Sequence, residues 1–187
     1  MKNLPPEAKL VFKGKIFDVY QWEQGMYDGS KEIFEAIKRP GTVQVIATQG
    51  DKVLLSHEEQ PGKPRRMSFL GGRMERDEEP LVTAKRELLE ESGMESDDWE
   101  LYRDYQSGGK IIWPFYIFIA RNVKKVAEPH LDPGEKIDVE EFSFDDFIEI
   151  VTNEEYIDRQ ISEEIYRLRQ DKAKLAEFKS QLFGIKP

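Results

Sequence analysis

Residues 72–94 read GRMERDEEPLVTAKRELLEESGM. Pro80 suits the first turn of a helix, because an amide hydrogen in that turn would have no partner inside the helix. The apolar residues that recur at helical spacing are Leu81, Ala84 and Leu88. Gly93 then supplies a glycine where helices commonly end. The stretch therefore predicts a glycine-containing loop followed by an amphipathic helix over residues 78–92.

Three glutamates of this helix stand close together in the sequence. Glu87, Glu90 and Glu91 are spaced at i, i+3 and i+4, so a helix places their carboxylates on one face. Unpaired like charges repel and raise one another's pKa, whereas a bound divalent cation keeps carboxylates ionised. Oxygen ligands of this kind suit Mg²⁺, with Mn²⁺ as a substitute. We therefore predict a magnesium site on this face of the helix.

The residues around the glutamates have predicted supporting roles. Arg86 stands four residues before Glu90 and could also reach Glu78, which would orient both carboxylates. Gly71 and Gly72 precede the helix and permit close backbone approach, so the Gly71 carbonyl could point at a metal ion or a phosphate. We predict Arg86 as a supporting residue of the catalytic site and Gly71 as a backbone ligand of the metal.

The spacing of residues 72–94 matches the Nudix box at every fixed position. Gly72 is followed after five residues by Glu78, and after seven more by the run RELLEESGM. An acidic helix surface alone does not account for this match, since its chance frequency is on the order of 10⁻⁷ to 10⁻⁶ from average residue usage. The chain therefore resembles the Nudix hydrolases. The resemblance implies a metal-dependent enzyme that cuts a diphosphate linkage, with an α/β/α sandwich built on a mixed sheet.

Composition narrows the class of protein further. A chain of 187 residues suits one compact catalytic domain. The net charge of −9 argues against the broad basic surface that duplex nucleic acid requires, so we expect no nucleic-acid partner. The sequence has no apolar run of about 18 residues, which argues against a membrane span. Without cysteine, the available metal ligands are carboxylates, two histidines and backbone oxygens.

The first residues of the chain indicate the cellular compartment in which we expect the protein. The first residues, MKNLPPEAKL, lack the apolar segment and the cleavage site of a secretion signal, so we expect a cytoplasmic protein. Since the chain is acidic, an anionic small-molecule substrate would need metal ions to neutralise it.

Strand-like and helix-like patterns follow one another along the rest of the chain. Segments rich in β-branched and aromatic residues predict strands at 9–22, 31–48, 52–59, 99–106, 111–123 and 139–144. Turn-forming residues predict loops at 23–30, 60–66 and 126–138. Helical periodicity predicts helices near 144–152, 155–170 and 172–183. This order predicts an α+β fold with an N-terminal strand-rich extension, rather than a doubly wound parallel sheet.

Beyond the box, the chain resembles the ADP-ribose pyrophosphatase branch of the family over about residues 13–169. Residues 34–39, FEAIKR, resemble the Trp-Glu-x-x-x-Arg phrase of that branch, and residues 156–160, YIDRQ, resemble its Ile-x-Asp phrase. The resemblance implies an N-terminal extension over residues 1–40 and a Nudix hydrolase domain over residues 41–187. It also implies a homodimer in which the extension is swapped between subunits.

The same resemblance points to further site residues. The extension of that branch lends aromatic side chains to the base pocket, which points to Phe17 and Phe34, and Arg39 ends the matching phrase. Both aromatic residues could instead belong to the core. A glutamate in a loop after the box often activates water in that branch, and Glu135 matches its position. A glutamate of the box could serve as the base instead, the candidates being Glu87 and Glu90.

Three phrases depart from the pattern of the branch. Its Glu-x-Pro-Ala-Gly phrase is replaced by SFLGG at residues 68–72, so a carboxylate that often helps to hold metal is absent. Its Gln-x-Arg phrase is replaced by HEEQP at residues 57–61, and its Ser-Pro-Gly phrase by SGG at residues 107–109. The number of metal ions and the substrate therefore stay open. Other basic residues could contact phosphate, and the candidates are Arg65, Arg66 and Lys110.

The function that these observations favour is hydrolysis of ADP-ribose to AMP and ribose 5-phosphate, or of a related nucleotide sugar. One alternative is a pool-cleaning hydrolase of modified nucleoside triphosphates or dinucleoside polyphosphates. Another is a Nudix-fold domain that senses a ligand without catalysis, although binding alone does not require a cluster of glutamates.

Overall fold

The computed structural model describes residues 4–153, residue 156 and residues 159–185. The strands are β1 (Lys9–Lys13), β2 (Asp18–Gly25), β3 (Lys31–Lys38), β4 (Thr42–Gln49), β5 (Lys52–Gln60), β6 (Lys63–Ser68), β7 (Met94–Glu95), β8 (Asp98–Gln106), β9 (Ile111–Ile112), β10 (Pro114–Arg121), β11 (Lys124–Lys125) and β12 (Lys136–Ser143). The helices are α1 (Pro80–Ser92), α2 (Phe144–Val151), α3 (Arg159–Arg169) and α4 (Lys172–Phe183). Among the described residues, no helix combines the length and the apolar character needed to cross a membrane.

A six-stranded sheet forms the centre of the fold, in the order β12-β5-β4-β10-β8 with β6 paired to β5. Strands β10 and β4 run parallel, whereas the other pairs in this sheet are antiparallel. Helix α1 packs on one face, and α2, α3 and α4 supply core residues to the other face. The predicted α+β architecture, with a mixed sheet between helices, is confirmed.

Alternating side chains along β4 and β5 build a core on each face of this sheet. Val45 of β4 and Leu54 of β5 are buried on the α1 face. Ile46 and Leu55, the next residue in each strand, are buried on the opposite face. Because successive side chains of a strand point to opposite faces, Glu58 of β5 lies on the same face as Leu54, toward α1.

The segment predicted as one strand over residues 31–48 is two strands, β3 and β4, which belong to different sheets. Pro40 lies between them and has no amide hydrogen for a strand ladder. The next residue, Gly41, lies so close to Met74 that a Cβ on it would be 2.6 Å from the Met74 sulfur. The single-strand prediction was wrong because tertiary packing at this point carries the chain from one sheet to the other.

Other predicted segments also differ from the structure, and one of them, the strand predicted over residues 111–123, is divided into β9 and β10, which belong to different sheets. The strand predicted over residues 9–22 is β1 and β2, separated by a turn in which the Gly14 amide donates to the Phe17 carbonyl at 2.9 Å. A Cβ on Gly14 would lie 2.5 Å from that oxygen, so the turn requires glycine. The loop predicted over residues 60–66 is largely β6, which pairs with β5 after a turn at Gly62.

The N-terminal strands β1, β2 and β3 form a separate four-stranded sheet with β9. Strand β9 comes from much later in the chain and runs parallel to β3, with Ile111 opposite Ile37. On the β2–β3 hairpin, Trp22 packs against Phe34 with ring centroids 6.0 Å apart. A later segment therefore ties the N-terminal extension to the rest of the molecule.

The predicted helices are found close to their expected bounds. Helix α1 starts at Pro80, and Gly93 follows its last residue with a φ of 67°, the left-handed conformation that suits glycine at a helix end. Helices α2 and α4 match the segments predicted at 144–152 and 172–183. Helix α3 lies within the segment predicted at 155–170. The phrase YIDRQ falls partly outside the described residues.

Candidate active site

Helix α1 presents its glutamates to a cavity of about 770 Å³. Carboxylates reach this cavity from four parts of the chain, namely β5, the loop before α1, α1 itself and the loop before β12. They are Glu58, Glu75, Glu87, Glu90, Glu91, Asp132 and Glu135. Gly71 and Gly72 line the cavity as well. The structure therefore brings together all the residues that the sequence predicted as metal ligands, and it brings Glu135 to the same place.

Arg86 connects the glutamates of the box. Its Nε and Nη2 atoms each donate to Glu78 at 3.1 Å, so the contact has two points. Its Nη1 atom lies 2.9 Å from Glu90 and 2.9 Å from Glu87. The hydrogen bonds from Arg86 lower the pKa of Glu78 to about 2, although partial burial opposes them. Arg86 is therefore a positioning residue that holds the carboxylates in one arrangement.

Two glutamates of the box are largely buried. Burial raises the pKa of Glu87 to about 7, although the neighbouring Arg86 lowers it. Burial also raises the pKa of Glu91 well above its usual range, even though the Gly71 amide donates to its carboxylate at 2.7 Å. Ionised carboxylates in such surroundings are costly to the fold unless a cation offsets them.

The donor groups fit a hard divalent cation by their chemistry. The possible metal ligands that α1 contributes are the carboxylate oxygens of Glu87, Glu90 and Glu91. Oxygen ligands of this type are the ones that Mg²⁺ and Mn²⁺ prefer. In the part of the chain that the structure describes, no three acidic or histidine groups already stand at coordination distance from a common point. Arg86 and the Gly71 amide hold the carboxylates instead. Ligation would therefore involve release of some of these contacts.

Basic side chains line the same cavity, and they are Lys15, Arg39, Lys63, Arg73, Arg76 and Arg86. The Arg39 guanidinium lies 4.5 Å from the ring centroid of Trp113 and 5.9 Å from that of Phe17. Its Nε atom is buried and has no hydrogen-bond partner among the described residues. Burial and the charge of Arg73 lower the pKa of Arg39. A bound anion would supply Arg39 with both a partner and a counter-charge.

An ion pair joins the N-terminal sheet to the loop that precedes α1. Arg76 donates from Nη1 and Nη2 to the two carboxylate oxygens of Asp18, at 3.1 and 3.3 Å. Asp18 is the first residue of β2, and its side chain is 10% exposed. The extension therefore contacts the loop of the Nudix box directly.

Neither of the two aromatic residues predicted to contact a base belongs to the lining of this cavity. Phe17 is 43% exposed and faces the Arg39 guanidinium. Phe34 packs against Trp22, and the Lys110 ammonium lies 5.0 Å from its ring centroid. The structure therefore brings Phe17 next to Arg39, while Phe34 and Lys110 lie together elsewhere on the N-terminal sheet.

Arg65 and Arg66, predicted as phosphate-binding residues, are not brought to the box glutamates by this arrangement. They line a different cavity of about 460 Å³, together with His57. Arg65 donates to Asp138 at 2.7 Å. The reason for their position is that this segment pairs with β5 as strand β6, instead of forming the loop predicted over residues 60–66.

The residues of the cavity that had no role assigned from the sequence include Glu58, Arg73 and Arg76. Strand alternation could have indicated Glu58, because it stands four residues after the buried Leu54 and therefore shares its face. Arg73 and Arg76 lie in the spacer of the box, where the pattern specifies no residue type.

Comparisons with known proteins agree with this geometry. Residues 38–165 match the NUDIX domain family. An "ADP-ribose pyrophosphatase" of Bacillus subtilis (strain 168) is 28% identical over 180 residues, which cover 92% of this chain and 97% of that protein. A "Methanol dehydrogenase activator" of Bacillus methanolicus is 28% identical over 158 residues, covering 81% of this chain and 84% of that protein. A crystal structure described as an ADP compounds hydrolase shares the fold, with a TM-score of 0.69 at 15% identity, over 88% of this chain and 91% of that one.

Proposed function

This chain belongs to the Nudix family of hydrolases, and from that premise we propose that it cuts the diphosphate linkage of ADP-ribose or a related nucleotide sugar with the help of Mg²⁺ or Mn²⁺. The products from ADP-ribose would be AMP and ribose 5-phosphate. The relative named ADP-ribose pyrophosphatase matches nearly the whole chain, which supports this class of substrate.

One observation carries the proposal, namely that carboxylates and guanidinium groups line the same cavity of about 770 Å³. A diphosphate carries negative charge on the oxygen atoms of both phosphate groups. It would need a cation between itself and the box glutamates, and cationic side chains on its other side. Arg39, whose Nε has no hydrogen-bond partner within the described part of the chain, is suited to the second role.

The residues that would hold the divalent ion are Glu87, Glu90 and Glu91, together with the backbone of Gly71. When bound, such an ion neutralises the diphosphate and lowers the pKa of the attacking water. Arg86 keeps Glu87 and Glu90 in place through its 2.9 Å contacts.

Glu135 is the proposed general base. It lines the cavity, and burial together with the charge of Asp132 raises its pKa above the usual value for glutamate. A raised pKa brings a carboxylate closer to the range in which it can accept a proton from water near neutral pH. Phe17, exposed beside Arg39, would contact the base of the nucleotide.

The proposal includes a cytoplasmic homodimer that forms through the N-terminal extension, residues 1–40. Support comes from β1, in which every residue is exposed although three neighbouring side chains are apolar. These are Leu10, Val11 and Phe12. Several exposed apolar side chains on one short edge strand commonly mark a region that another protein covers.

The experiment that tests the function is a product analysis with purified protein and Mg²⁺ or Mn²⁺. The substrate panel contains ADP-ribose, nucleotide sugars, nucleoside triphosphates and dinucleoside polyphosphates. We expect Glu90→Gln and Glu91→Gln to reduce turnover of the preferred substrate by about two orders of magnitude, because each removes a metal ligand. Glu95→Gln, just beyond α1 and outside the cavity lining, should be close to wild type.

The panel separates the alternatives by their products. Cleavage of triphosphates or dinucleoside polyphosphates in preference to ADP-ribose would reject the proposed substrate and keep the hydrolase. Binding of a nucleotide without any product, in the presence of either metal, would reject catalysis and favour a sensing domain.

A further inference from the structure

Glu58 is a mostly buried carboxylate that faces the catalytic cavity. It belongs to β5, its side chain is 15% exposed, and it lines the cavity together with Glu91. The next residue, Glu59, points to the other face of the strand, where its side chain is 41% exposed and forms an ion pair with Lys136 at 3.1 Å. Adjacent glutamates of one strand therefore have different surroundings.

Neutral hydrogen-bond donors orient the Glu58 carboxylate. Ser68 donates from its hydroxyl to Glu58 Oε2 at 3.1 Å, and Gln60 donates from its amide to Glu58 Oε1. The Gln60 amide oxygen in turn accepts from Lys63 at 2.7 Å. The ion pair of Glu58 with Arg66 is long, at 3.9 Å. The chain thus orients this carboxylate well but neutralises its charge poorly.

The position of Ser68 beside Glu58 allows β5 to place a carboxylate at the cavity. Ser56 lies opposite Ser68 in the β5–β6 ladder, and Glu58 is two residues farther along the same face. Ser68 is itself buried, and its small side chain leaves room for the longer glutamate of the neighbouring strand. Position 68 is also the position at which the ADP-ribose pyrophosphatase branch carries a glutamate and this chain does not.

We propose that Glu58 is a further carboxylate ligand of the divalent cation, shared with Glu91 and held in place by Ser68 and Gln60. The inference rests on the proposed function, since it concerns the same cavity. On this inference, Glu58 of β5 supplies the carboxylate that is absent at position 68 of the adjacent strand β6. Ser68 and Gln60 are then positioning residues, because they act through Glu58.

The test measures Mn²⁺ binding directly, by electron paramagnetic resonance of free Mn²⁺ and by calorimetry, without substrate. We expect Glu58→Gln, which keeps the shape of the side chain, to weaken Mn²⁺ binding at least about tenfold. Glu59→Gln is the matched control and should bind Mn²⁺ as the wild type does. Ser68→Ala should weaken binding by a smaller factor, because Glu58 keeps its charge but loses a donor. Thermal unfolding without metal checks that each variant is folded.

The outcomes separate this inference from the proposed function. If the wild type binds Mn²⁺ and Glu91→Gln weakens binding, while Glu58→Gln and Ser68→Ala both bind as the wild type does, the role of Glu58 is rejected and the metal site stands. If the wild type binds no Mn²⁺, the proposed metal-dependent function fails first, and the ligand role of Glu58 fails with it. Weakened binding in Glu58→Gln with an unchanged Glu59→Gln supports the inference.

Discussion

Gly72 leaves the space that the carboxylate of Glu87 occupies. A Cβ at position 72 would lie 2.6 Å from the carboxyl carbon of Glu87. The preceding Gly71 has a different reason to be glycine, because its φ is 138° and a side chain there would overlap the Val43 carbonyl. Gly72 thus leaves space for the side chain of Glu87, whereas Gly71 allows a backbone conformation that a side chain would prevent.

We predict that Gly72→Ala reduces kcat/KM by about 100-fold, because displacement of a catalytic group by about 1 Å has an effect of that size. The melting temperature should change little, since the added methyl meets the end of a flexible side chain rather than backbone. Steady-state kinetics and thermal unfolding measure the two effects. Gly25→Ala is the control, because a Cβ there meets no atom within 4 Å. Full activity in Gly72→Ala would show that the position of Glu87 is not critical.

Helix α3 is attached to β8 through one carboxylate. Glu164 accepts hydrogen bonds from the hydroxyl groups of Tyr102 at 2.6 Å and Tyr105 at 2.7 Å, and it pairs with Arg103. The side chain of Glu164 is 20% exposed. Burial alone would raise the pKa of Glu164, but the hydrogen bonds from Arg103 and the two tyrosines lower it. This contact therefore stabilises the fold in the ionised state.

We predict that Glu164→Gln lowers the free energy of unfolding at pH 7 by about 1–3 kcal/mol, because charge-assisted hydrogen bonds are lost. Glu163→Gln is the control. The side chains of Glu163 and Arg167 are both exposed, so their ion pair contributes little to the free energy of unfolding. Urea titration measures both variants.

The pH dependence of this contact has a defined sign. The folded-state pKa of Glu164 is depressed, so its contribution is present above the unfolded value near 4.5 and disappears as the pH falls through the folded value. The difference between wild type and Glu164→Gln should therefore shrink in acid. A difference that stays constant from pH 7 to pH 3 would contradict this assignment.

The N-terminal sheet is joined to the catalytic part of the molecule at two points. Arg76 of the box loop pairs with Asp18 of β2, and β9 runs beside β3. The same sheet exposes apolar side chains, with Phe12 at 61% and Ile33 at 65% exposure. The extension thus contacts the loop of the box through Asp18 and exposes apolar side chains elsewhere on its surface.

We predict that the protein sediments as a dimer, with twice the 21.9 kDa mass of the chain. The double variant Phe12→Glu/Ile33→Glu should sediment as a monomer, because charges would be placed in the apolar surface. Tyr166→Glu is the control, since Tyr166 is exposed to a similar degree on α3. Sedimentation equilibrium distinguishes these masses. A wild-type protein that stays monomeric at high concentration would refute the proposed dimer.

Local spacing in the sequence was sufficient to predict helix α1. Residues 78–92 carry helical periodicity, and the i, i+3 and i+4 spacing of Glu87, Glu90 and Glu91 follows from the geometry of any helix. The family, the class of chemistry and the α+β fold could be predicted from this segment and from the order of the elements. Such features depend on residues that are near one another in the chain, so no knowledge of distant contacts is needed.

Only the tertiary structure decided which distant residues lie beside α1 in the cavity. The pairing of β5 with β6 brings Glu58 to the catalytic-site candidate, whereas Arg65 lines a different cavity. The two residues are only seven positions apart in the sequence. The break between β3 and β4 leaves Arg39 between Phe17 and Trp113. Side-chain direction in a strand reverses at each residue, and pairing depends on contacts between remote segments. Those contacts are a property of the whole folded chain, so local sequence patterns could not specify them.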